Sequence, residues 1–429
     1  MKVALIGGAG VRAPLLIRGL AQSGLPLSEV ALYDADQARL ALIAPLVDRL
    51  APGAGVRACA TSAEAIRGSS VVFTSIRVGG IEARARNEKI VLEHGLVGQE
   101  TVGAVGFAMA MATIPEMVRY AKQVEALAPE AWIVNFTNPV GIITEAVSKA
   151  SGARILGICD TPTELFEECA HALGVPSAEC RFDYFGLNHL GWLREVYHRG
   201  VPRLDALLED ESLLARLYRV PFFETTFLRE LRLLPTEYLY YYYRPERALQ
   251  NQLASGTSRG AAIQKLNDRL FAALRKKDQD PAAAYDAYLR DRNASYMQLE
   301  SGSTTPYTPS AAALLTGYDK IAVSVVRAIH ENANAVVPLS VPNRGNLPEL
   351  RNDDMVEVPC LVNANGALPL HVGPVPKAAL PLLLQVKEYE RLTVEAALTG
   401  SKDVARKALA ANPLVREPAL ADRLVEALA

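Results

Sequence analysis

The chain has 429 residues, half of them hydrophobic and 21% charged, which supplies a sizeable core and excludes disorder as a global state. Lysine plus arginine number 45 against 47 aspartate plus glutamate, a net charge of −2 that argues against nucleic acid or an anionic membrane as the main partner. Five cysteines, an odd count without a Cys-x-x-Cys pair, fit a reducing compartment. No leader precedes the first strand and no apolar run has spanning length, so the expected location is the cytoplasm.

The apolar run from Lys2 to Ile6 reads as a strand that ends in glycines. Gly8-Ala9-Gly10-Val11-Arg12-Ala13 then fits G-x-G-x-x-A, and a helix follows from Pro14. Asp34 comes 24 residues after Gly10, closing a second apolar stretch from Glu29 to Tyr33. This is the fingerprint of a dinucleotide-binding βαβ unit. Gly8, Gly10, Val11 and Arg12 are expected around a pyrophosphate at the helix N-terminus, and Asp34 at a ribose diol. A carboxylate there favours NAD over NADP, because it repels a 2′-phosphate.

Further strands are expected at 71–76, 132–136 and 154–159, alternating with helical text. Residues 212–299 carry charge, Ala, Leu and Arg at helical spacing, 336–341 and 355–359 read as extended, and the chain from Lys377 reads as helical. The expected class is α/β: a Rossmann-type, doubly wound, mostly parallel sheet followed by a mixed α+β domain. Residues 1–190 are assigned to NAD binding, and 191–429 to substrate binding and oligomerisation.

In open parallel sheets the ligand lies beyond the carboxyl ends of the strands, so polar residues there are candidates. Arg77 and Arg84 flank a glycine-bearing turn after the strand at 71–76. They read either as a fork for a phosphate or as solvated surface. Asn138, before Pro139, is either an N-cap or a carboxamide aimed at a substrate hydroxyl. Cys159 and His189, thirty residues apart, each end an extended run. Alone, each reads as buried and structural; together they can hold a divalent metal with positions left for substrate. Tyr238 to Tyr243 contain five tyrosines in six residues, which suit packing or an interface, with one available as a general base near a cation.

Several stretches together resemble the NAD- and metal-dependent family-4 glycoside hydrolases, which include 6-phospho-glucosidases. They are the glycine turn, Gly98-Gln99-Glu100-Thr101, Asn135-Phe136-Thr137-Asn138-Pro139, Gly157-Ile158-Cys159-Asp160, Gly186-Leu187-Asn188-His189, Pro235-Thr236-Glu237-Tyr238-Leu239, Ser258-Arg259-Gly260, and Val341-Pro342-Asn343-Arg344-Gly345 leading to Val356-Glu357-Val358-Pro359. The resemblance implies a redox-assisted elimination: oxidation at C3 of the sugar by NAD+, proton loss from C2 to a tyrosine, departure of the aglycone from C1, addition of water and return of the hydride. It implies Mn2+ on Cys159 and His189 and Tyr238 as the C2 base. It also implies Asn138, Arg84 and Arg259 as substrate contacts, Gln99 and Glu100 lining the site, and Asp160 as leaving-group acid. A phosphorylated sugar is then the substrate, and a homodimer or homotetramer the expected assembly.

The chain departs from the family's pattern in three places. Val11-Arg12-Ala13-Pro14 replaces a serine-bearing turn, so Arg12 stands where a phosphate contact is common. Asp160 resembles the α-selective members, whereas the tyrosine-rich stretch resembles the β-selective ones. Asn87 stands where an aspartate is common. The expectation is a 6-phospho-β-glucosidase. The alternatives are an α-selective or non-phosphorylated glycosidase of the same family, a 2-hydroxy-acid dehydrogenase of the lactate and malate type, and an NAD-binding sensor.

Overall fold

The apolar runs of the N-terminal half become parallel strands, the central ones buried because helices cover both faces of the sheet. In the computed structural model, which describes residues 1–218, 222–302, 317–415 and 417–428, these are β1 (Lys2–Ile6), β2 (Glu29–Tyr33), β3 (Val56–Ala58), β4 (Val71–Thr74), β5 (Trp132–Asn135) and β6 (Arg154–Gly157). They lie in the order β6-β5-β4-β1-β2-β3, all parallel, which is the doubly wound order of dinucleotide-binding sheets. The order reverses between β1 and β4, so the crevice above their carboxyl ends is the place for a ligand.

A second, antiparallel sheet is formed by β7 (Cys180–Leu187), β8 (Leu190–His198), β9 (Val201–Pro202) and β10 (Leu234–Pro235). The expected division after residue 190 therefore falls inside β8, whose hairpin with β7 crosses it.

The C-terminal strands do not build a sheet of their own. β11 (Ala335–Pro342), β12 (Met355–Asn363) and β13 (Gly366–Pro369) run antiparallel to one another and extend the first sheet beyond β6. The physical reason is an edge. β6 would otherwise present unpaired backbone groups, and β11 covers them, with Ser340 opposite Gly157. Gly157 permits this approach: a Cβ there would lie 2.9 Å from Ser340 Cβ and 2.6 Å from Val140 Cγ1. A nine-stranded sheet results.

The helix Leu380–Thr399 packs across the long helix Gly103–Leu127. It buries Lys387 completely, with ion-pair distances of 3.0 Å to Glu145 and 2.5 Å to Glu390. Lys149 pairs with Glu145 as well, at 2.7 Å, and burial pushes the Glu390 carboxyl up to about 7. Among the described residues no helix is long and apolar enough to cross a membrane. All five cysteines are unpaired thiols.

Candidate active site

The glycine turn after β1 closes by Gly10 N–H donating to Gly7 O at 3.0 Å. Gly7 sits at φ +97°, and a Cβ there would lie 2.2 Å from Ser75 O, so no other residue fits. Asp34 braces the turn: its carboxylate accepts from Ala9 N at 3.0 Å and from Asp36 N at 2.9 Å. Burial pushes its carboxyl up. Beside the turn opens a cleft of about 580 Å³ lined by Gly7, Gly10, Val11, Asp34 and Arg77, with Asn267 and Phe271 closing it from the C-terminal half. Gly8 supports the turn from behind, where a Cβ would lie 2.9 Å from Leu32 Cβ.

Beyond the ends of β6 and β7, Cys159 and His189 meet. Cys159 Sγ lies 3.5 Å from His189 Nε2, and both residues are buried. A thiolate and an imidazole bonded to one divalent ion at about 2.3 and 2.1 Å stand roughly 3.1–3.6 Å apart, so this separation suits a shared metal. Burial, with Glu357 and Asp160 nearby, pushes the Cys159 thiol well up, so a cation is what would convert it to a thiolate. Burial brings His189 down to about 3, so its imidazole is neutral. Among the described residues no group of three or more His, Cys, Asp or Glu side chains forms a closed cation cage.

The tautomer of His189 follows from its neighbours. Gln99 Oε1 accepts from the backbone N–H of Thr101 (2.6 Å) and Val102 (3.1 Å), which fixes it as the oxygen. The Thr101 hydroxyl donates to the same atom at 2.8 Å. Thr101 Oγ1 therefore accepts from His189 Nδ1–H at 2.7 Å, and the lone pair of Nε2 faces Cys159. Gln99 was expected to line the site as a substrate contact. Its carbonyl oxygen caps the loop that enters Gly103–Leu127 and orients His189 through Thr101.

Tyr238 stacks face to face on His189, ring centroids 3.8 Å apart. Burial pushes its phenol up, and neighbouring Glu237 pushes the same way. Tyr296 bonds to Tyr238 and donates its hydroxyl to Glu237. Tyr240 and Tyr241 of the same stretch are buried within the chain, so packing accounts for them without a partner subunit. Asn138 caps nothing: Pro139 holds the N-cap position of Val140–Ala150, with no side-chain cap bond there. Among the described residues its buried Oδ1 has no hydrogen-bond partner, which leaves the carboxamide for a ligand. Asp160 holds the N-cap position of Thr161–Leu173 with no cap bond from its side chain.

An ion network joins this centre to the dinucleotide cleft. Glu100 accepts from Arg77 and Arg84, and Arg84 Nε donates to Glu88 at 2.7 Å. Burial alone would raise Glu100; Arg77 and Arg84 overcome it and hold the carboxyl at about 2. Glu100 is thus a bracket for two arginines. Arg12, the N-cap residue of Ala13–Gln22, lies within electrostatic reach of both Glu100 and His189. Arg259 donates to Ser295 O and Oγ, each at 2.8 Å, and burial pulls its charged form down.

Three contributors escaped the sequence reading. Thr101 sits in the quoted Gly98–Thr101 stretch, where its proximity to Gln99 was the available signal. Tyr296 had no signal beyond its type. Glu357, on β12, accepts from Tyr184 OH at 2.7 Å and Asn188 Nδ2 at 3.0 Å, and burial lifts it to about 7. It anchors the turn that carries His189. Asn87 is buried, its Oδ1 without a partner among the described residues, and nothing in the structure explains an asparagine where aspartate is common.

A doubly wound sheet with a glycine turn, a soft donor pair and a tyrosine over the histidine defines a cofactor-assisted α/β enzyme centre. The family model for family 4 glycosyl hydrolase matches residues 2–175, and the model for the family 4 glycosyl hydrolase C-terminal domain matches residues 184–415; the chain belongs to this family. It is 30% identical to a 6-phospho-beta-glucosidase of Escherichia coli (strain K12), over 100% of this chain and 94% of that one. The 6-phospho-beta glucosidase of Thermotoga maritima, solved with manganese, NAD+ and glucose-6-phosphate, superposes with a TM-score of 0.84 at 28% identity, covering 100% and 97% of the two chains. A 6-phospho-alpha-glucosidase from gut microorganisms, solved with NAD and Mn2+, superposes with a TM-score of 0.82 at 26% identity, covering 100% and 97%.

Proposed function

We propose that this chain hydrolyses 6-phospho-glucosides, β-linked ones foremost, with NAD+ and Mn2+. The observation that carries the reading is the placement of Cys159, His189 and Tyr238 one ion network away from the dinucleotide cleft: Arg77 lines the cleft and grips Glu100, the neighbour of Thr101, which holds His189. The residues fit both groups. The glycine turn lines the cleft and passes so close to Ser75 O that only Gly7 fits, and the thiol and imidazole stand at the separation of two ligands on one ion. When bound, NAD+ supplies a hydride acceptor and Mn2+ a Lewis acid for the sugar's C2 and C3 oxygens.

The chain's own groups do the rest. Asp34 binds the ribose diol, and Arg12, within electrostatic reach of Glu100 and His189, stands by the pyrophosphate turn. Tyr238 removes the proton at C2, for which its raised phenol needs positive charge close by; Arg84 is near enough to feel the phenol electrostatically. Asn138 Oδ1 accepts from a sugar hydroxyl, which satisfies its orphaned oxygen. Arg84 and Arg259 hold the phosphate side, and Glu100 keeps Arg84 in place. Asp160, whose carboxylate does not cap its helix, protonates the leaving oxygen. That same carboxylate favours a second reading, an α-selective enzyme, since this acid resembles the α-type members.

The experiment is hydrolysis of four nitrophenyl glucosides, α and β, each with and without a 6-phosphate. It is run with NAD+ and Mn2+ under reducing conditions, and with each omitted. Turnover of the 6-phospho-β substrate only with both cofactors is the expected result. Turnover of the α substrate alone moves the reading to the α type, and equal turnover of unphosphorylated substrates removes the phosphate from it.

A further inference from the structure

The helix Pro281–Ala294 touches three places with one row of side chains. Tyr285 OH donates to Val11 O, in the glycine turn, at 2.8 Å. One turn on, Tyr288 OH donates to Asn267 Oδ1 at 2.9 Å, and Asn267 lines the dinucleotide cleft. One further turn on, Arg292 Nη1 donates to Tyr288 OH at 3.0 Å. Positions separated by three and four residues share a helix face, so these contacts form one continuous row.

The row ends on Arg259. Its guanidinium donates to Arg292 O at 3.3 Å and to Ser295 O and Oγ at 2.8 Å. Ser295 is the C-cap residue of the helix, so Arg259 sits on the carbonyl end, where the helix dipole favours a cation. Among the described residues Arg259 has no carboxylate within ion-pair distance; its hydrogen bonds go to this helix end, and Glu300 acts on it electrostatically. The C-terminal end of this helix therefore holds the Arg259 guanidinium. The helix is also tied to the nucleotide half from outside, Asp280 lying 2.8 Å from Arg49 and Asp286 4.0 Å from Arg18.

We propose that this helix couples the two ligands: Tyr285, Tyr288 and Arg292 are positioning residues through which the dinucleotide in its cleft sets Arg259 for the anionic end of the sugar phosphate. The inference rests on the functional reading above, which puts NAD+ in the cleft and phosphate at Arg259. A dinucleotide that orders the Val11 turn and the Asn267 side chain fixes both tyrosine contacts, so Arg259 is already in place when the sugar arrives. Linkage requires the effect to be reciprocal, the sugar phosphate tightening NAD+ by the same factor.

The test is calorimetric binding of glucose 6-phosphate to the full-length protein with Mn2+ present, with and without saturating NAD+, and the reverse titration. The expected result is an affinity at least about fivefold higher with NAD+, equal in the two directions. Tyr288→Phe and Tyr285→Phe, which keep the ring and remove the hydroxyl, should shrink that factor while binding of each ligand alone persists. Glucose 6-phosphate affinity independent of NAD+, or an unchanged factor in both variants, overturns the coupling and leaves the functional reading intact. No binding of glucose 6-phosphate under any condition overturns both.

Discussion

The rings of His189 and Tyr238 lie face to face, their planes within 4° of parallel. His189 itself is pinned at Nδ1 by Thr101 and faces Cys159 with Nε2. A displacement of either ring therefore moves the other, so the proposed metal ligand and the proposed base are positioned as one unit. Stacked aromatic pairs contribute about 0.5–1.5 kcal/mol beyond their buried area, enough to hold this register.

Replacing Tyr238 by Phe preserves the stack and removes only the phenol oxygen. Turnover of the preferred 6-phospho-glucoside should fall by about 10²- to 10⁴-fold, the range for loss of a general base, with NAD+ and Mn2+ affinities unchanged. Steady-state kinetics beside calorimetry checks it. Unchanged turnover removes Tyr238 from the role of base.

Thr101→Val takes away the acceptor that fixes the His189 tautomer. Mn2+ affinity should drop by about 10- to 100-fold, as for other partners of metal-bound histidines. Titration with Mn2+ alone reads this without turnover. Gln99→Ala should act in the same direction and cost about 1–3 kcal/mol of stability, because three donors lose their acceptor. If Gln99→Ala instead raises KM and leaves Mn2+ affinity alone, Gln99 belongs at the substrate after all.

Glu100 should make the fold acid-sensitive. Its carboxyl falls from an ordinary 4.5 to about 2, so its contribution is fully present above 4.5 and disappears as pH falls toward 2. In Glu100→Gln this loss should be absent, and at pH 7 the variant should be less stable by about 3–5 kcal/mol, the cost of breaking a buried pair. Urea unfolding from pH 2.5 to 7 provides the comparison. Parallel stability curves for the two proteins would contradict it.

Glu357 has the opposite sign. Burial raises it from 4.5 to about 7, so its favourable contribution is complete below 4.5 and is lost as pH rises through 7. The stability of the parent protein relative to Glu357→Gln should fall between about pH 4.5 and 7 and level off above that. Thermal melts at intervals of pH measure this, and a constant difference across the range rules out a buried carboxyl that titrates there.

Much of the first half was legible because its signals are local. A strand, a glycine turn, a helix and an acid within the first 34 residues define one βαβ unit, and the cleft forms around it. Cys159 and His189 were legible as strand-end residues, since the ends of parallel strands are where such sheets bind. Gln99 was legible as a residue of the loop at the site, while its bonding partners were not. Its three donors lie within three residues of it, and loop geometry decides that they point inward.

The sequence by itself determined the class of sheet, the dinucleotide turn and the residue types at the centre, because strand periodicity, glycine conformation and donor chemistry act over a few residues. Only the tertiary structure decided that β11 to β13 complete the first sheet, that Thr101 holds His189 from 88 positions away, and that Glu357 braces Asn188 from 169 positions away. Those pairings are chosen by which edge needs covering and which buried polar atom needs a partner. Both conditions exist only once the whole chain has packed.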